Sequence, residues 1–128
     1  MTTIIVADDR PLNREYLVAL LGCSGFRIVE ASDGAEALVL ARVEEPGLMI
    51  TDMIMPGMDG RELVTHMKAD PKLARIPVIF YSATYLDYDP RTEELGLDDT
   101  NFILRPIEPE ALVAKIEACL AGVGKATA

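Results

Sequence analysis

The sequence of 128 residues has few cysteines and no long apolar segment. Its two cysteines, Cys23 and Cys119, are too few for a disulfide framework, and their spacing matches no metal site. The sequence has no N-terminal apolar stretch of the signal-peptide type. It also has no run of about 18 apolar residues, the minimum for a transmembrane helix. We therefore expect a cytoplasmic protein without membrane insertion.

Basic residues are also scarce, and they are scattered along the chain. The 12 Lys and Arg residues against 21 Asp and Glu residues give a formal net charge of -9. Because the basic residues form no stripe, we expect no direct binding to nucleic acid. The acidic balance suits solubility, a bound cation or a basic partner surface. The length predicts one domain, which we place at residues 1–121, followed by a flexible tail at residues 122–128.

Short apolar runs alternate with helical patterns five times along the chain. The predicted strands are Thr3–Ala7, Phe26–Glu30, Gly47–Thr51, Ile76–Tyr81 and Asn101–Leu104. The predicted helices lie at residues 11–21, 35–43, 60–67, 89–96 and 112–120. Continuous apolar runs are typical of strands buried on both faces. The alternation predicts an α/β fold of the (βα)5 type: a doubly wound, flavodoxin-like, five-stranded parallel sheet with strand order 2-1-3-4-5 and helices on both faces.

Polar and charged residues stand at the carboxyl ends of four predicted strands. Asp8 and Asp9 follow the first strand and Asp52 follows the third, whereas Ser82 follows the fourth and Arg105 the fifth. In a doubly wound sheet, ligands bind outside these ends, at the switch point between strands 1 and 3. We therefore expect the five residues to line one pocket.

Three carboxylates at close range repel one another, so either one is protonated with a raised pKa or a cation neutralises them. Oxygen ligands favour a hard ion such as Mg²⁺, and the loaded site would attract phosphate. Ser82 can donate a hydrogen bond to a phosphoryl oxygen, and Arg105 can pair with its charge. Since aspartate is a nucleophile in phosphoryl transfer, the pattern predicts magnesium-dependent phosphorylation of an aspartate.

Each of these residues alone also has an ordinary structural interpretation. Asp9, which shortly precedes Pro11, can cap a helix, and Ser82 can be a turn residue. The coincidence of all five positions at one predicted sheet edge favours the functional interpretation.

The chain resembles the receiver domain of two-component response regulators over about residues 3–121. The matching residues are the acid pair Asp8-Asp9, Asp52 followed by MIMPGMDG, the pair Ser82-Ala83, and Phe102 three residues before Arg105-Pro106. The segment DMIMPGMDG after an apolar strand is the most specific of these motifs.

By this resemblance, Asp52 is the phosphoacceptor. The resemblance implies Mg²⁺ as cofactor, bound directly by Asp9, Asp52 and the backbone carbonyl of Ile54. Asp8 would bind the ion through water.

The resemblance also assigns the groups around the phosphoryl group. The Ser82 hydroxyl and the backbone N–H groups of Met53 and Ala83 would hold its oxygens. Ile54 and Thr84, two residues beyond Asp52 and Ser82, would flank it.

The resemblance further implies a conformational switch and a class of partners. Phosphorylation would pull Ser82 inward, Phe102 would fill the vacated space, and the surface of the fourth helix, fifth strand and fifth helix would change. The phosphoryl donor would be a sensor histidine kinase, a phosphotransfer protein or a small molecule. The same surface would serve a homodimer. Such a domain catalyses its own phosphorylation and dephosphorylation but is not a metabolic enzyme.

Arg105 departs from the family pattern, in which this position is almost always Lys. Arginine is longer, planar and forked, so the geometry of phosphoryl binding must adjust. The resemblance also implies a cis peptide bond between Arg105 and Pro106. An apolar Ile54 cannot orient an attacking water, which predicts slower self-dephosphorylation than in an Ile54→Asn variant.

Two other protein classes fit the sequence less well than a receiver domain does. A phosphatase of the haloacid dehalogenase type needs a second aspartate two residues after its nucleophile, where this chain has Ile54. A flavodoxin needs a phosphate-cradling loop after the first strand, where this chain has the acidic segment ADDRPLN. The stronger alternative is a receiver-like protein-docking module that works with little or no phosphorylation.

Overall fold

The computed structural model describes residues 1–83, 90–97 and 101–121 of the chain. Five parallel strands form one sheet in the order β2-β1-β3-β4-β5, which confirms the predicted doubly wound fold. The strands are β1 (Thr3–Ala7), β2 (Arg27–Ala31), β3 (Leu48–Thr51), β4 (Val78–Ser82) and β5 (Phe102–Leu104). The bounds of β1 are as predicted, and the predicted ends of the other strands differ from these bounds by at most two residues. The predicted tail at 122–128 lies outside the described residues.

In the part of the chain that the structure describes, four α-helices connect or follow the strands. They are α1 (Pro11–Cys23), α2 (Gly34–Glu44), α3 (Gly60–Ala69) and α4 (Pro109–Leu120). α2 and α3 begin with aspartate caps, since Asp33 accepts a hydrogen bond from the Glu36 N–H and Asp59 from the Glu62 N–H. The N-cap of α1 is Arg10, so the alternative that Asp9 caps this helix is wrong.

The fourth predicted helix is wrong in type. Between β4 and β5 the structure has a 3₁₀ helix, Pro90–Leu95, instead of an α-helix. Leu95 packs against the core and Leu97 is buried in it, but Gly96 has a φ of 82° and ends the helix between them. So short a segment offers no apolar stripe for several α-helical turns, and 3₁₀ geometry is used in such short pieces. Residues 84–89, with the predicted start at Asp89, and 98–100 lie outside the described residues.

The core consists of two apolar layers, one on each face of the sheet. Neighbouring residues of one strand enter different layers, because side chains alternate across a strand. Ile5 packs with residues of α2 and α3, whereas Ile4 packs with residues of α1 and α4. This arrangement confirms helices on both faces. All four residues of β3, at the centre of the sheet, are buried.

Within the described residues, no helix is both long and apolar enough to cross a membrane.

The parallel pairing places the predicted site residues at one edge of the sheet. Ala7 pairs with Thr51, and the Asp52 N–H donates to the Ala7 carbonyl at 3.0 Å. On the other side, the Arg105 N–H donates to the Ser82 carbonyl at 2.7 Å. The ends of β1, β3, β4 and β5 therefore lie side by side.

Candidate functional site

Three aspartates form an acidic cluster at the carboxyl ends of β1 and β3. Carboxylate oxygens of Asp8, Asp9 and Asp52 lie within 4.8 Å of one another. Asp8 is 2% exposed and Asp52 is 6% exposed, whereas Asp9 is open to solvent. Three carboxylates in this arrangement offer hard oxygen ligands to a cation, as the sequence predicted.

Hydrogen bonds hold the loop that carries the acid pair. The Arg10 N–H donates to Asp8 Oδ1 at 2.9 Å, and Arg14 Nη1 donates to the Asp8 carbonyl at 2.6 Å. Arg14 Nε also pairs with Glu30 Oε1 at 3.4 Å. Arg14 is not among the site residues predicted from the sequence. Its available signal is a basic residue in the first turn of the helix that follows the acid pair.

Asp52 has an unusual electrostatic environment. Burial, together with the nearby charge of Asp8, raises the pKa of the Asp52 carboxyl. The positive charge of Arg105 and hydrogen bonds from the Ile54 and Met53 backbone act in the opposite direction. The net effect disfavours the ionised form, which a nucleophile needs. A cation bound to the cluster would restore it.

The segment after Asp52 is packed tightly enough to require glycine at its end. The Gly60 N–H donates to the Met53 carbonyl at 2.9 Å. A Cβ atom at Gly60 would overlap the backbone carbonyl of Asp52. Gly57 has a φ of 73°, in the left-handed region that favours glycine. Both glycines of the MIMPGMDG motif therefore have a backbone role.

Arg105 reaches the acidic cluster from the end of β5. Its Nη1 lies 3.7 Å from Asp8 Oδ2, and its Nη2 lies 3.9 Å from Asp52 Oδ2. The Arg105 side chain is only 14% exposed. The peptide bond between Arg105 and Pro106 is cis, as predicted. The guanidinium thus lies at the sheet edge where the sequence predicted a positively charged side chain.

A cavity of about 320 Å³ opens above Asp52. Its walls include Asp9, Ile54, Ala83 and Arg105. Ser82 is fully buried at the end of β4, so Ala83 forms the pocket wall on this side. The cavity has room for a phosphoryl group beside a hydrated ion.

The other predicted residues differ in exposure and position. Ile54 stands at the rim of the cavity with 59% of its surface exposed, whereas Met53 is buried. Phe102 is 5% exposed and faces the layer formed with α2 and α3. Thr84 lies outside the described residues.

Comparisons with known proteins show the family of the chain. The family model for the response regulator receiver domain matches residues 4–117. Protein PilH of Pseudomonas aeruginosa is 30% identical over 127 residues, which cover 95% of this chain and 100% of PilH. The response regulator GtcR of Aneurinibacillus migulanus is 39% identical over 118 residues, which cover 92% of this chain and 47% of GtcR. The chain therefore spans all of one relative and about half of another.

A solved structure shows the same fold. The response regulator receiver protein from Pseudomonas putida superposes with a TM-score of 0.79 at 29% sequence identity. The superposition covers 91% of this chain and 95% of that protein.

Proposed function

Since this chain belongs to the family of response regulator receiver domains, we propose that Asp52 accepts a phosphoryl group in a magnesium-dependent reaction. Receiver domains are signalling proteins of two-component systems rather than metabolic enzymes. The observation that carries the proposal is the buried Asp52 carboxyl beneath the cavity, with two further carboxylates within 4.8 Å.

The donor set fits Mg²⁺, because three carboxylates supply hard oxygen ligands and Asp52 has a raised pKa that a cation would reverse. Asp9, Asp52 and the Ile54 carbonyl would hold the ion directly, and Asp8 would hold it through water. When bound, the ion neutralises the cluster and offsets the charge of the phosphoryl oxygens.

Residues of the chain have different roles in the transfer of the phosphoryl group. An oxygen of Asp52 attacks phosphorus, and a P–O bond forms while the bond to the donor breaks, with its electron pair leaving on the donor. The Ser82 hydroxyl, the Arg105 guanidinium and the N–H groups of Met53 and Ala83 bind the phosphoryl oxygens. The donor is a phosphohistidine of a sensor histidine kinase or phosphotransfer protein, or a small molecule such as acetyl phosphate.

The output is a change at the surface formed by the 3₁₀ helix, β5 and α4. Ser82 ends β4 opposite Leu104, and Phe102 pairs with Phe80 on the same two strands. An inward movement of Ser82 toward the phosphoryl group would leave space that Phe102 fills. We propose that this surface signals to partners, including a second copy of the chain. We also propose that the reaction takes place in the cytoplasm.

Intact-mass spectrometry after incubation with acetyl phosphate and Mg²⁺ tests the proposal. We expect the wild-type protein to gain one phosphoryl group. The gain should disappear with a chelator and in the Asp52→Asn variant. Phosphorylation of Asp52→Asn to the wild-type extent would contradict the assignment of the acceptor.

One observation favours the docking module as a second candidate. Arg105 already pairs with Asp8 and Asp52, so part of the charge of the cluster is balanced by the chain itself. A titration with beryllofluoride and Mg²⁺, followed by NMR, separates the two candidates. Shifts of the Met53, Ala83 and Phe102 amides would support the phosphoacceptor, whereas an unchanged spectrum would support the docking module.

A further inference from the structure

The guanidinium of Arg105 lies over the aromatic ring of Tyr81, on the strand next to β5. The distance from Arg105 Cζ to the ring centroid is 5.2 Å. A guanidinium within about 6 Å of an aromatic centroid is attracted by the electrons of the ring face. Tyr81 is not part of the acidic cluster and has no role in the proposed reaction.

The other contacts of Arg105 do not define its orientation. Its ion pairs with Asp8 and Asp52, at 3.7 and 3.9 Å, are longer than charge-assisted hydrogen bonds of about 2.7–2.9 Å. Its Nε is buried and has no hydrogen-bond partner among the described residues. The guanidinium is therefore held loosely by the carboxylates, and the ring supplies its defined contact.

Tyr81 is well suited to hold a cation in place. It is 5% exposed, pairs with Ile103 across the sheet and belongs to the core layer formed with α1 and α4. Burial and the neighbouring Tyr16 raise the pKa of Tyr81, so the ring is a neutral phenol at neutral pH. Arginine, unlike lysine, is planar and stacks on aromatic faces. The aromatic residue at 81 and the arginine at 105 thus fit each other.

We propose that Tyr81 is a positioning residue for Arg105. The face of the Tyr81 ring holds the guanidinium at a position from which the guanidinium reaches both Asp8 and Asp52. The pair explains how the site accommodates arginine, because a planar cation is oriented by a planar surface. The inference rests on the proposed function only in giving Arg105 a role in phosphoryl binding.

The contact itself is tested by NMR on the protein without metal or phosphoryl donor. Protons over a ring face are shifted upfield, so the Arg105 δ-methylene protons should be displaced upfield from their ordinary position. The displacement should persist in Tyr81→Phe and vanish in Tyr81→Leu. An ordinary shift in the wild type, or a displaced one in Tyr81→Leu, would overturn the proposal. This test needs no phosphorylation, so it is independent of the proposed function.

The consequence for the site is tested by beryllofluoride affinity in the presence of Mg²⁺. Tyr81→Leu should weaken binding about fivefold, the size of a partly desolvated cation–π contact. Tyr81→Phe keeps the ring and should stay within about twofold of the wild type.

The matched control is Tyr81→Leu in the Arg105→Lys background. Lysine has no planar group to stack on the ring and keeps only the weaker attraction of its charge, so there the substitution should change the affinity by less than about twofold. An equal loss in both backgrounds would show that Tyr81 only supports the fold, and would overturn the proposal. Failure of the unmutated protein to bind beryllofluoride would count against the proposed function, while the NMR test would still decide the positioning role.

Discussion

The two halves of the site are held in different ways. The acid half consists of Asp8, Asp9 and Asp52 at the ends of β1 and β3. Here the backbone defines the positions of the aspartates. The Asp52 N–H donates to the Ala7 carbonyl at 3.0 Å, and the Asp8 N–H donates to the Ala31 carbonyl at 3.1 Å. The strands that carry this half are buried on both faces.

The switch half consists of Ser82 and Arg105 at the ends of β4 and β5. Its outer strand, β5, is three residues long, and a 3₁₀ helix stands where an α-helix was predicted. The Arg105 backbone pairs with Ser82, but its guanidinium is placed by side-chain contacts, with long ion pairs on one side and the Tyr81 ring on the other. In the acid half the carboxylates follow directly from backbone pairing, whereas in the switch half the position of the guanidinium, at the end of a long side chain, depends on side-chain packing.

Gly60→Ala should break the acid half most severely. The new Cβ would overlap the Asp52 carbonyl, so we expect a loss of about 3 kcal/mol in the free energy of unfolding. Urea denaturation measures it. Gly22→Ala is the matched control, because a Cβ there meets nothing within 4 Å. In that helix the change should stabilise by up to about 1 kcal/mol. Equal effects at both positions would contradict the steric argument.

Arg14→Ala should weaken the acid half without touching a carboxylate oxygen of the cluster. It removes a charged hydrogen bond to the Asp8 carbonyl, worth about 1.5–3 kcal/mol. We expect lower stability and severalfold weaker Mg²⁺ binding by calorimetry. Arg27→Ala is the control, since Arg27 pairs with Glu44 at the opposite end of β2. Unchanged Mg²⁺ affinity in Arg14→Ala would show that the loop holds its shape without this bond.

Ile54→Asn should change the rate of dephosphorylation from the rim of the cavity. Ile54 is 59% exposed and cannot orient an attacking water, whereas an asparagine amide can. We expect severalfold faster loss of the phosphoryl group, measured by the decay of the phosphorylated mass. Val43→Asn changes an apolar residue of similar exposure on α2 and should leave the decay unchanged. Slower decay in Ile54→Asn would contradict the prediction.

The pH dependence of stability should report the buried Asp52 in the metal-free protein. A carboxyl whose pKa is raised on folding binds its proton more tightly in the native state, so stability falls as pH rises past its ordinary value of 3.8. Asp52→Asn removes this penalty. The variant should therefore be more stable than the wild type at neutral pH in EDTA, and the difference should shrink below about pH 4. A difference that does not change with pH would rule out this origin.

Much of the acid half was predictable from the residues. The run LMIT is apolar throughout and lies as the buried strand β3, and Asp52 follows it. Because parallel strands end at one edge, the predicted residues Asp8, Asp52, Ser82 and Arg105 came together there as expected. The fourth helix was predicted wrongly, since a cap-like Asp-Pro pair and a glycine mark the ends of a helix but not its type.

The sequence alone determined where the strands lie and which polar side chains follow them, because apolar runs define buried strands and the residues after a run stand at the end of its strand. Only the tertiary structure decided that Arg14 holds the Asp8 carbonyl, that burial raises the pKa of Asp52, and that Tyr81 faces Arg105. The physical reason is that desolvation and ring contacts depend on distances between residues far apart in the chain. Pairing and packing set those distances, and local patterns do not encode them.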